Sequence, residues 1–120
     1  RQGVKRDEAQ AYADKARYEL KKNNLAEAAR HMAKANEILA KIDSSDEYQG
    51  LKIGTRAEIF KIDGQLHRAL AAQYKKNGNE SKANSELALA KISETSSEKI
   101  QKEALRTTEE IVKMLPKALN

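Results

Sequence analysis

The sequence predicts an all-α fold of about five antiparallel helices, arranged either as an array of helical hairpins or as a compact helical bundle. Three observations carry that reading. Apolar residues recur at helical rather than alternating spacing, β-branched runs are missing, and the single proline, Pro116, lies close to the C-terminus. Between the periodic stretches stand short clusters of asparagine, serine and aspartate, which end one helix and begin the next. Connections this short make neighbouring helices antiparallel.

A first helix is expected from about Val4 to Lys22, with Ala9, Tyr12, Ala16 and Leu20 on one face. Asn23 and Asn24 interrupt it. Asn24 is placed to cap the next helix, because its side-chain oxygen can accept a backbone N–H left free at a helix start, and Glu27 three residues on completes a capping box. The second helix runs to about Ile42. Its apolar face is Leu25, Ala28, Met32, Ala35 and Leu39, flanked by Ile38 and Ile42.

Asp43-Ser44-Ser45-Asp46 is the clearest break, and Ser44 with Glu47 repeats the capping pattern. A long helix follows, from about Glu47 to Asn77, burying Ile53, Ile59, Phe60, Ile62, Leu66, Leu70 and Tyr74. Gly54 and Gly64 each weaken it by up to ~1 kcal/mol relative to alanine, so a kink or a split is expected near Gly64. Asn77-Gly78-Asn79 reads as a turn and helix C-cap. Helix resumes at Glu80, with Ala83, Leu87 and Ala90 facing in. Thr95-Ser96-Ser97-Glu98 is then expected to cap a last helix, which carries Ile100, Ala104, Ile111 and Leu115 and ends before Pro116.

Composition narrows the function classes. The chain of 120 residues is of single-domain size, so residues 1–120 are expected to form one helical domain around one core. The apolar share is 39%, much of it alanine, with only Tyr12, Tyr18, Tyr48, Phe60 and Tyr74 as aromatics; such a core packs by close helix approach. Charged residues reach 34% and alternate in sign, as solvated helix faces do. A net charge of +5 without a basic stripe or stacking aromatics argues against a nucleic-acid partner. No apolar run approaches the ~20 residues that span a bilayer, so no membrane insertion is expected. The start at Arg1, without methionine, suggests excision from a longer protein.

Chemistry finds little support. There is no cysteine, no Gly-x-Ser-x-Gly and no glycine-rich phosphate loop. The carboxylates sit among lysines, where pairing lowers their pKa, whereas a general acid needs it raised. Glu27 with His31, and Asp63 with His67, are acid-to-histidine pairs four residues apart on one helix face, and two such helices side by side would offer zinc two carboxylates and two imidazoles. The carboxylate-bridged di-iron bundles use a different spacing, Glu-x-x-His. Both pairs are accordingly read as surface interactions, with no metal, no cofactor and no enzymatic activity expected.

The stretches from Lys21 to Ala35 and from Lys75 to Ala90 echo each other: two lysines, an asparagine-containing turn, then a helix with small residues seven apart. Around the second stand His67, Leu70, Ala71 and Tyr74, then Ala83, Leu87 and Ala90. At the same positions around the first are Tyr12, Lys15, Ala16 and Glu19, then Ala28, Met32 and Ala35. The set around the second stretch resembles the tetratricopeptide signature, and the set around the first follows it with Lys15 and Glu19 in place of the leucine and the first-helix tyrosine. The two copies stand further apart than its ~34-residue unit, and neither ends in proline. The small residues have a physical reason of their own, since Ala16, Ala28, Ala71 and Ala83 let paired helices approach to ~8 Å. The resemblance implies binding of a protein or peptide partner in a groove lined by the first helices of the hairpins, with Tyr12, Lys15, Glu19 and His67 as the candidate contacts and Leu70 and Tyr74 buried. It leaves a homo-oligomer open.

A second, shorter resemblance is to histidine phosphotransfer domains, whose motif sets a lysine three residues and a small residue four residues after the histidine. Lys34 and Ala35 follow His31 in that way. It would make His31 an exposed nucleophile and Lys34 the attraction for an acidic phosphoryl donor. When Ala28 is matched to Ala83, however, His31 falls on Glu86, outside the recurring packing face. His31 is therefore expected at the surface without a chemical role.

Overall fold

The computed structural model describes residues 2–42 and 49–119, with side chains placed over 5–42 and 54–115. The described chain is all-helical: α1 (Gln2–Lys21), α2 (Leu25–Lys41), α3 (Gln49–Lys76) and α4 (Glu80–Leu119). The expected break at Asp43 to Asp46, with its Ser44 and Glu47 cap, lies outside the described residues.

The helices number four, not about five, because Thr95 to Glu98 does not interrupt α4. Serine breaks a helix when its hydroxyl competes for backbone groups, but here each hydroxyl finds an acceptor without unwinding anything. Ser96 Oγ donates to the Ile92 carbonyl one turn back (2.9 Å), and the buried Ser97 Oγ donates across to the Ala57 carbonyl of α3 (2.9 Å). Nor does the helix end before Pro116; it continues to Leu119, giving up one backbone hydrogen bond in its final turn. Gly64 does not split α3 either. A Cβ there would lie 2.9 Å from Glu94 Cγ and 3.4 Å from the Ala90 carbonyl, so the glycine lets α4 pass close against α3.

The two helix hairpins turn in the same way. Asn23 and Gly78 take the left-handed conformation, at φ 61° and 81°. In the first turn the Asn24 N–H reaches the Glu19 carbonyl and in the second the Asn79 N–H reaches the Tyr74 carbonyl, both at 2.8 Å, which closes the preceding helix. The following helix is capped in only one of them. Asn79 Oδ1 accepts from the Lys82 N–H (3.1 Å), whereas Asn24 makes no side-chain cap and Glu27 engages Arg30 instead of closing a capping box.

The core lies between the first three helices. Ala9, Ala13 and Ala16 of α1 pack with Leu25, Ala28, Met32 and Ala35 of α2, and Ile59, Ile62 and Leu66 of α3 complete the cluster. Met32, Ile59 and Ile62 are its largest fully buried side chains. Leu70 and Tyr74 are half-buried, and Leu87, expected to face inward, is 41% exposed. Among the described helices α4 packs against α3 alone, while α3 also meets α1 and α2. The first three helices meet one another, and α4 joins them through α3. With 40 residues against 28 for α3, α4 outruns its partner, and the molecule extends 65 × 28 × 24 Å.

Candidate functional site

Polar groups concentrate on the seam between α3 and α4. α4 brings small residues to this face, Ala83 and Ala90, and the closeness they permit puts longer polar side chains in reach of one another. At its centre is His67. Its Nδ1 lies 2.5 Å from Glu86 Oε2 across the seam, and its Nε2 lies 3.2 Å from Asp63 Oδ2 one turn back on α3. All three side chains are about four-fifths buried. Each ring nitrogen thus faces a carboxylate oxygen.

The network continues along the seam. Ser93 Oγ donates to Asp63 Oδ2 (2.7 Å), and Gln101 Nε2 donates to Ser97 Oγ (3.2 Å). Nearer the solvent, Arg68 grips Glu94 through two nitrogens, Nη2 to Oε1 at 2.7 Å and Nε to Oε2. The guanidinium holds the Glu94 carboxyl below the ordinary carboxylate range and is itself raised in return. On the other hairpin Arg30 lowers Glu27 in the same way, within α2.

Serine, aspartate and histidine are neighbours, but the Ser93 hydroxyl donates to the carboxylate and not to an imidazole nitrogen, so the order of a serine–histidine–aspartate triad is not reproduced. The two carboxylates approach opposite nitrogens of His67 and leave no point common to all three. Among the described residues no group of three or more acidic or histidine side chains is placed to hold a metal ion. Described grooves open beside Arg68, Ala71 and Leu87, beside Leu25, Ala69 and Gln73, and beside Ala88, Ile92 and Ser96, and His67 lines none of these.

The predicted contact residues fall on two different seams. Tyr12 is half-buried with its ring 6.3 Å from that of His31 on α2, Lys15 Nζ lies 5.0 Å over the Tyr12 ring, and Glu19 accepts from Asn24 Nδ2 (3.4 Å). These three occupy the flank of α1 next to α2. The opposite flank meets α3 through Arg17, whose Nη1 reaches Glu58 Oε1 at 2.6 Å. His67 instead faces α4, so the structure brings Tyr12 and Lys15 together and sets His67 apart from them. His31 is not the surface residue expected. Its side chain is 14% exposed, Nε2 is 3.8 Å from Glu27 Oε2, and Nδ1 is buried without a partner. Tyr12 covers the ring from the neighbouring helix, a contact that one helix's own periodicity does not reveal.

Sequence reasoning missed Glu86, Ser93 and Glu94. A signal existed: they follow Ala83 and Ala90 on α4's inward face, so polar residues there needed partners on α3. Comparison with protein-family models, with curated proteins and with solved structures finds no match for the chain.

Proposed function

We propose that this chain is a non-catalytic assembly module, a helical array similar to tetratricopeptide hairpins, that binds a helix or peptide of a protein partner. One observation carries the reading. On the C-terminal half of α4, Leu105, Ile111, Val112, Met114 and Leu115 are all at least half exposed, and Lys102, Arg106, Glu109, Glu110 and Lys113 occupy the other side of the helix. Five large apolar side chains on one half of the helix circumference, with these charges on the other, are the pattern of a helix face that packs against another element. No described helix of the chain covers it. Tyr12, Lys15 and Glu19 offer a second, mixed aromatic and charged rim on α1, whereas His67, also expected as a contact, is taken up in the α3–α4 seam by Asp63 and Glu86.

Phosphotransfer through His31 is the weaker reading, because a phosphoryl donor needs an open imidazole and this ring is 14% exposed. Affinity capture from the source cell tests the binding reading. Bound proteins should be lost with Ile111→Asp combined with Leu115→Asp, or with Tyr12→Ala combined with Lys15→Glu, while circular dichroism stays unchanged. Recovery of nothing sensitive to either pair, together with no self-association, would overturn it.

A further inference from the structure

We propose that the partner on the C-terminal half of α4 is the same segment of a second copy of this chain, paired antiparallel about a two-fold axis. The inference rests on the reading of the chain as an assembly module and names what it assembles with. The first support is continuity. Ser97, Gln101, Ala104, Thr108, Ile111 and Leu115 follow one another at alternating spacings of four and three, the heptad rhythm of a helix seam. Ser97 is buried against Ala57 of α3, Ala104 is half-buried, and from Leu105 to Leu115 every residue is exposed. The packing face of α4 thus runs on, in register, past the end of its partner. Roughly 16 Å of prepared seam is left at 1.5 Å per residue.

The second support is self-complementarity. When the segment is laid antiparallel on a copy of itself, so that Ala104 faces Leu115 of the other chain, Thr108 faces Ile111. Each small residue then meets a large one. Leu105 and Val112 fall on the same flank of the pair, and the charged residues stay outside, so no like charges are pressed together. The third support is area. Leu105, Ile111, Val112, Met114 and Leu115 are between 51% and 67% exposed. At about 100 Å² of apolar surface each, two copies bury on the order of 1,000 Å², the lower bound of a specific interface. A reversible dimer is the expected product, not an obligate one.

Sedimentation equilibrium on the full chain is the test. The average mass should climb with concentration from 13.4 kDa toward twice that value. Ile111→Asp with Leu115→Asp should raise the dissociation constant at least about tenfold, with far-UV circular dichroism unchanged because both positions lie beyond α3. Pairing direction is read with cysteines, which the native chain lacks. An equimolar mixture of Thr108→Cys and Ile111→Cys chains should form mixed disulfides in preference to either variant alone. A chain that is monomeric at every concentration, a dimer indifferent to the aspartate pair, or preferential Thr108→Cys self-linking would each overturn the proposal. If the chain stays monomeric yet captures a different protein in a manner lost with the aspartate pair, self-pairing fails and the binding module stands.

Discussion

The α1–α2 hairpin and the α3–α4 hairpin share a backbone turn, with a left-handed residue at Asn23 or Gly78 and the same carbonyl accepting behind it, yet opposite chemistry closes them. α1 and α2 zip together through Ala9, Ala13, Ala16, Ala28, Met32 and Ala35, and the described side-chain charges of these two helices pair within a helix, Arg30 with Glu27, or reach out to α3, Arg17 to Glu58. α3 and α4 meet over Gly64, Ala83 and Ala90, and the remaining bonds between them are polar: His67 to Glu86, Ser93 to Asp63, Ser97 to the Ala57 carbonyl, Arg68 to Glu94. The first hairpin feeds the hydrophobic core, and α4 supplies none of its members. Apolar burial is non-directional and tolerates sliding, while a hydrogen-bonded seam holds one register. Such a seam gives α4, the helix with the unpaired stripe, a defined position without drawing its apolar residues inward.

Substitutions at the two hairpins can break that contrast. The largest effect is expected in the apolar one, where Met32→Ala removes a fully buried side chain and should cost about 3 kcal/mol in urea unfolding. In the polar seam, His67→Ala leaves the Asp63 and Glu86 carboxylates facing each other and should cost about 2 kcal/mol. Hydrogen exchange should then rise in α4 before it rises in α1 and α2. If exchange rises uniformly, the two hairpins are one cooperative unit.

The turns provide a smaller and sharper comparison. Asn79→Ala removes a real side-chain cap and should cost about 1 kcal/mol, whereas Asn24→Ala, which removes none, should cost only a few tenths. Equal losses would mean that the caps do not differ in solution. The smallest effect concerns pH. Because Arg68 lowers the folded-state pKa of Glu94, the pair contributes stability above the ordinary carboxyl value of 4.5 and loses it as pH falls through the folded value below that. Wild type should therefore shed slightly more stability than Glu94→Gln when acidified below pH 4.5. Identical acid profiles would show the pair to be energetically silent.

The helices, the turns and much of the buried face were legible because each depends on residues close in the chain. The spacing of Leu25, Ala28, Met32 and Ala35 places them on one side of any helix, and Asn77-Gly78-Asn79 accommodates a left-handed turn wherever it occurs. Four outcomes were not legible for the opposite reason. Ser96 and Ser97 look like a break until an acceptor is supplied, and for Ser97 that acceptor, Ala57, lies on another helix. Gly64 looks like a weakness until α4 presses against it. His31 looks solvated until Tyr12 covers it, and His67 looks like a loose surface pair until Glu86 closes the second side of its ring. Local sequence determined that this chain forms helices, that it turns at Asn23 and at Gly78, and which stripe of each helix seeks cover, because propensity and periodicity act within a few residues. Only the tertiary structure decided which stripe met which and what was left unmet at the end of α4, because cross-helix contacts depend on relative helix lengths and close approach.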